Sequence, residues 1–226
     1  MTRAAVSWSG GKDSCLALLR AADLGLRIDA LLTMADPDGL SKSHALPQEL
    51  IAAQAQAMGL ELRWVVAAID QYGSRFGAAL DHLRADGYSH LVFGDIDLQA
   101  HRDWLEPACR AAGLEPVFPL WNLLRAEIAR EVIQRGIHAL VVCVDERWLD
   151  ASSCGASYDE VFLAGLPAGV CPCGEEGEFH TFVWDAPCLS HPLSLKRSAQ
   201  RREKSSPPFA PTSWVFQTLS LAKGSA

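Results

Sequence analysis

Residues 9–14 read Ser9-Gly10-Gly11-Lys12-Asp13-Ser14, a dense packet of small, polar and charged side chains. An apolar run at 4–8 precedes the packet, and apolar residues at helical spacing over 13–24 follow it. Paired glycines let a backbone turn tightly and aim successive N–H groups inward. The start of a helix adds a partial positive charge, Lys12 a full one, and the hydroxyls of Ser9 and Ser14 short donors. Together these groups suit an anion the size of pyrophosphate. The spacing is neither that of the Walker loop nor that of G-x-G-x-x-G. A plain glycine turn with an incidental lysine is the rival reading, and the rest of the chain must decide.

Other residues able to do chemistry lie far away in sequence. Asp95 lies in "VFGDI", and His44 sits in a polar stretch over 36–44. "GEEGEFHT" places Glu175, Glu178 and His180 within six residues. On an extended strand Glu178 and His180 share a face, where they could orient and deprotonate an amine. A solvated acidic loop is the alternative there. Cys171 and Cys173, spaced C-x-C with His180 beyond, fall short of the four paired ligands of a structural zinc site, so zinc is the weaker reading. The tryptophans, Trp8, Trp64, Trp104 and Trp121 among them, read as core or interface residues rather than base-stacking platforms.

Elements must bring these residues together. Strand patterns at 4–8, 27–34, 60–66 and 89–96 alternate with helical patterns at 13–24, 47–58, 73–85 and 97–112. A further helix over 123–135 leads to "IHALVVCV", the last clear strand of the series. Regular alternation with short links predicts an α/β fold, a doubly wound parallel sheet covered on both faces. Such sheets bind ligands beyond the carboxyl ends of their strands, so the loops 9–14, 36–44 and 94–97 are expected to share one crevice. From about residue 148 glycine, proline and cysteine become dense, which predicts a smaller α+β appendage with mixed or antiparallel strands. "LKRSAQRREKSSPPFAP" within it reads as a basic, then proline-rich connection. The expected division is 1–115 and 116–226.

The chain has 226 residues, 49% of them hydrophobic, and a formal charge of -7, which argues against a general nucleic-acid binder. No apolar stretch approaches the length of a membrane span, and the short run before the first glycines does not make a signal peptide. Seven cysteines, an odd number, read as reduced thiols in a cytoplasmic protein.

"SGGKDS" resembles the loop of the PP-loop ATP pyrophosphatases, the adenine nucleotide alpha hydrolase-like superfamily with its Rossmann-like, HUP-type fold. "HALP" at 44–47, "VFGDI" at 92–96, "LEPVFPLW" at 114–121 and "CGEEGEFHTFVWDAP" at 173–187 resemble the diphthine–ammonia ligase family. The resemblance implies an enzyme that activates an acceptor carboxylate, on a protein or a small molecule, as an acyl-adenylate. Ammonia or another amine donor then forms the amide, with AMP and pyrophosphate released; in the family the acceptor is a modified histidine of elongation factor 2. It implies ATP contacts from Ser9, Gly10, Gly11, Lys12, Asp13, Ser14, His44, Gly94 and Asp95, with the backbone of Thr33, Met34 and Ala35 meeting the adenine. Lys12, Asp13, Glu175, Glu178 and His180 are the implied catalytic set. Mg²⁺ would be held by Asp13 and Asp95, directly or through water, with helix-end and turn-forming roles as their alternatives. A homodimer is a further open partner reading. The chain departs from the family pattern at Glu176, where glycine is usual, at His180, where glutamate is usual, and at Cys154-Gly155-Ala156, where Leu-Gly-Arg is usual. Two rivals stand beside this reading: a tRNA-modifying PP-loop enzyme using Cys143 and Cys154, and a non-catalytic nucleotide sensor.

Overall fold

The structure is a computed structural model that describes residues 2–42, 44–204 and 212–222. Its first half is built from β1 (Arg3–Ser7), α1 (Lys12–Asp23), β2 (Arg27–Ala35), α2 (Gln48–Met58), β3 (Glu61–Val66), α3 (Tyr72–Ala85), β4 (His90–Val92), α4 (Gln99–Ala111) and β5 (Glu115–Val117). The five strands form a parallel sheet in the order β3-β2-β1-β4-β5. The order reverses between β1 and β4, which opens the crevice expected of a doubly wound sheet.

Alternate side chains of each strand feed two cores, as the twofold period of a strand requires. Ala4, Val6, Leu31 and Val92 pack with α1 and α2, whereas Ala5, Ala30, Leu32 and Leu91 pack with α3 and α4. The first core does not stop at the sheet. It continues through α5 (Arg125–Gln134) into β6 (His138–Asp145) and β7 (Phe179–Asp185). Arg20 of α1 reaches Glu131 of α5 with two parallel bonds of 3.0 and 2.5 Å.

The segment 138–144 was expected to close the parallel series, and the structure corrects this. β6 belongs to a second, antiparallel sheet ordered β7-β6-β9-β8, with β8 at Leu195–Lys204 and β9 at Ser213–Leu221. A short apolar run buried on both faces looks alike in either kind of sheet, so the pattern alone could not choose. The basic stretch expected as a connection is likewise a strand over Leu195–Lys204, an exposed edge whose charged residues guard it against strand addition. Its proline-rich continuation, 205–211, lies outside the described residues. A short helix, α6 (Glu160–Ala164), completes the second half. No helix among the described residues is long and apolar enough to cross a membrane.

The two halves meet where β7 lies along the glycine turn. The Val183 N–H donates to Gly10 O at 2.9 Å, and the Lys12 N–H donates to Thr181 Oγ1 at 3.1 Å. Gln54, fully buried on α2, donates to both Gly10 O (3.0 Å) and Val183 O (2.6 Å) and accepts from the Trp8 indole at 2.8 Å. Gln54→Leu keeps the volume but strands these partners in an apolar setting. We expect it to lower unfolding free energy by about 2–4 kcal/mol, read from the midpoint and slope of a urea titration.

Candidate active site

The carboxyl ends of β1, β2 and β4 and the loop before β7 enclose a cleft of about 800 Å³. The glycine turn forms its floor. Gly10 has φ +86, and a Cβ on Gly11 would stand 2.4 Å from His44 Cε1, so the sequence needs both glycines here. The N-cap residue Gly11 has no side chain to cap α1, and the Lys12 amide is already taken by the Thr181 hydroxyl. The next amides of the first turn have no acceptor within the helix, which leaves donors for an anion. Ser9 and Ser14 hydroxyls pair at 3.1 Å beside them. Gly94 presses on the same helix start: a Cβ there would lie 2.9 Å from Asp13 C and Ser14 N.

Lys12 is only 2% exposed. Its ammonium donates to Asp13 Oδ2 at 2.8 Å and to Cys173 O at 2.5 Å, with the Tyr158 and Phe179 rings 5.3 and 5.4 Å away. Burial works against the charge, but Asp13, Tyr158 and Cys173 together outweigh it and hold the pKa above that of an ordinary lysine. Asp13 Oδ1, the other oxygen of that carboxylate, is buried without a hydrogen-bond partner. Asp95 also lines the cleft and bonds His101 Nδ1 at 2.9 Å.

His44 and His180 stack over the turn with centroids 4.7 Å apart. His44 Nδ1 lies 2.9 Å from Thr181 O, and a carbonyl only accepts, so Nδ1 carries the proton and Nε2 is left as an acceptor. Burial, then the nearby Lys12 charge, pushes His180 down to about 4, and burial with His180 and Lys12 lowers His44 as well. The pair is neutral at pH 7. Ala45, next to His44, takes a φ of +50, a strained conformation for a residue with a Cβ.

The sequence-predicted residues do not all face the cleft. Glu178 is fully buried and accepts the N–H groups of Cys171 (2.7 Å) and Glu176 (2.9 Å), so its carboxylate braces the loop instead of lining the site. Glu175 does line it, and burial together with the Asp13 charge raises its pKa to about 8. Thr33 and Met34 reach the cleft, but Ala35 does not. Two carbonyls there are already engaged: Met34 O accepts from Lys42 N at 3.1 Å and Ala35 O from Ala67 N at 2.9 Å. Cys171 and Cys173 do not join His180. The Cys173 thiol donates to Arg125 O at 3.1 Å, and no group of three His, Cys, Asp or Glu residues among those described could hold a metal. Cys143 and Cys154 are buried in the second sheet's core, away from the cleft lining.

Some contributors were not foreseen. Arg125 bridges Asp97 (2.7 and 2.8 Å) to Glu176 (2.8 Å), tying the loop after β4 to the loop before β7. Glu176, the residue where the family usually has glycine, thus gains a partner. Tyr158 and Phe179 around Lys12 carried no sequence signal, because aromatic residues in a loop and a strand read simply as core.

Comparison with known proteins adds to this geometry. The profile described as the diphthamide synthase N-terminal domain matches residues 2–116, and that of the diphthamide synthase C-terminal domain matches 125–206. The chain belongs to the diphthamide synthase family. It is 26% identical over 240 residues to a diphthine–ammonia ligase of Rattus norvegicus, covering 94% of this chain and 90% of that one. It is 29% identical over 221 residues to a diphthine–ammonia ligase of Danio rerio, covering 83% and 84%. Among solved structures, that of a predicted subunit of tRNA methyltransferase from Methanocaldococcus jannaschii aligns with 83% of this chain and 98% of its own, at a TM-score of 0.45 and 17% identity.

The raised Glu175 pKa fixes a sign. Between its unfolded value near 4.5 and about 8 the folded state holds a proton that the unfolded state has lost, so stability falls as pH rises through this window. Glu175→Gln removes that loss. Its stability relative to the parent should therefore increase from pH 5 to pH 8 in urea titrations, and an equal difference at both pH values would contradict the assignment.

Proposed function

We propose that this protein is an ATP-dependent ligase that adenylates an acceptor carboxylate and joins it to ammonia. The single observation that carries the reading is the buried Lys12 ammonium at a helix start whose N-cap is glycine, in a cleft also lined by Asp95 and Glu175. A fixed cation and oriented amides in a water-poor site stabilise charge as it develops on a leaving pyrophosphate. The family assignment supports an ATP-using ligase.

In this reading the glycine turn, the first amides of α1 and Lys12 hold the β- and γ-phosphates. An acceptor carboxylate oxygen attacks the α-phosphorus, the bond to the β-phosphate breaks, and pyrophosphate leaves along the turn. The nitrogen of ammonia then attacks the acyl carbon, AMP departs, and the amide keeps the new C–N bond. Glu175 lines the cleft, and its ionised fraction, which grows as pH rises toward about 8, takes the proton that nitrogen loses. The neutral His44–His180 stack covers the turn and limits water there.

The orphaned Asp13 Oδ1 and the cleft-facing Asp95 fit a Mg²⁺ ion, which prefers few carboxylates and the phosphates themselves. When bound it would neutralise phosphate charge. The diphthine named for the relatives is one acceptor of the required class; for this chain we propose only a carboxylate.

Incubation with ATP, Mg²⁺ and ammonium in extract of the source cells should yield AMP and pyrophosphate. Lys12→Ala should lower that yield by about 100-fold or more. Release of ADP and phosphate instead would contradict the reaction assigned here.

A further inference from the structure

No cysteine thiol takes part in the reaction above, and two of the seven meet where the halves join. Cys15, one residue past Ser14, closes the first turn of α1, its N–H donating to Gly11 O at 3.1 Å. Its side chain is fully buried. Cys188 lies 173 residues later in the turn after β7, where the Leu189 N–H donates to Ala186 O at 2.9 Å. The two sulfurs are 3.8 Å apart. Cys188 is half-buried and Pro187 beside it is exposed, so a small solute reaches this sulfur from outside.

Thiols can serve as plain core filling, and Cys109, Cys143 and Cys154 fit that role: each is buried, and burial raises its pKa. The Cys15–Cys188 pair differs, because its members come from separate halves and one of them reaches the surface. The hydrogen bond from Cys15 lowers the Cys188 pKa against the effect of burial, while the same bond, then burial, raises that of Cys15. Cys188 is thus the readier thiolate, with Cys15 behind it as the second thiol. Cys171 is also acidified, to about 6 by its bond with Cys173. It is buried, however, and the Cys173 thiol is spent on Arg125 O.

We propose that Cys15 and Cys188 form a reversible oxidation site, which a hydroperoxide closes into a disulfide between the two halves. The sulfurs must approach from 3.8 Å to the bonded distance of about 2.05 Å. That movement falls to half-exposed Cys188, since Cys15 is set in the core. With hydrogen peroxide, the Cys188 thiolate attacks one oxygen, the O–O bond breaks, hydroxide leaves and a sulfenic acid remains. The Cys15 sulfur then attacks the Cys188 sulfur, the S–O bond breaks and water departs with the Cys15 proton. Two electrons pass from the thiol pair to the peroxide, which ends as two waters once the Cys188 proton is counted. The bond pins the segment after β7 to the helix that starts at the glycine turn. It makes covalent a docking that otherwise rests on hydrogen bonds such as Val183 N–H to Gly10 O. No nucleotide is needed, so the site stands apart from the ligase reading.

The test exposes the reduced full chain to hydrogen peroxide and maps its peptides by mass spectrometry, before and after dithiothreitol. A linked pair of peptides carrying Cys15 and Cys188 should form, and dithiothreitol should part them. The urea midpoint of the oxidised chain should rise by about 1 M, because the bond closes a long loop in the unfolded state. Cys188→Ser, a change at a half-exposed position, should abolish both the link and the rise. Cys15→Ala should stop at a sulfenic acid on Cys188 that dimedone captures. If that buried variant misfolds, Cys188→Ser still decides. Oxidation of Cys188 to a sulfinic acid without a link, a bond confined to Cys171 and Cys173, or a linked chain whose midpoint does not rise overturns the proposal.

Discussion

A lysine ammonium sealed from water is the constraint from which the site follows. Leaving it unpaired in an apolar setting would be costly, so it must be met by acceptors. Asp13 supplies one from the same helix turn, but the other is Cys173 O, 161 residues later in the chain. The cation is thus satisfied only when the loop before β7 is docked on the first sheet. Gln54 and Thr181 enforce that docking through the backbone of the glycine turn. Docking of the second half and completion of the cleft floor therefore depend on the same contacts.

The same arrangement sorts the ionisable groups around it. Burial, reinforced by the Lys12 charge, keeps the His44 and His180 rings neutral, and burial together with the Asp13 carboxylate pushes Glu175 toward the protonated form. Glu178, only three residues from Glu175, has a different task, because backbone N–H groups fill both of its oxygens. Two glutamates of one short motif are divided between holding the loop and facing the ligand. The departure at Glu176 belongs to the same loop: its pairing with Arg125 adds a tie that glycine could not make. That tie is exposed on the Glu176 side, so its worth lies in orienting the loop more than in stability.

Much of this was legible in the residues. The glycine turn, the alternation of strands and helices and the convergence of three distant loops all follow from local patterns, because each depends on neighbours in sequence. The placement of β6 did not, since "ALVVCV" satisfies a parallel or an antiparallel sheet equally well. The strand at Leu195–Lys204 was hidden by its charges, which on an edge strand are protective rather than disruptive. Glu178 was misplaced because strand alternation puts it on the face of His180, while the tight turn before β7 draws it into the loop's own hydrogen bonds.

The central claim is that the turn at residues 9–14 grips the phosphates of a nucleotide. Hydrogen–deuterium exchange of the full chain with and without α,β-methylene-ATP tests it most directly, because the amides concerned are the ones said to bind. The account predicts slowed exchange in peptides spanning residues 9–14, lost when Lys12 is replaced by alanine. Protection confined to other segments, with this turn exchanging at the same rate in both states, would contradict it.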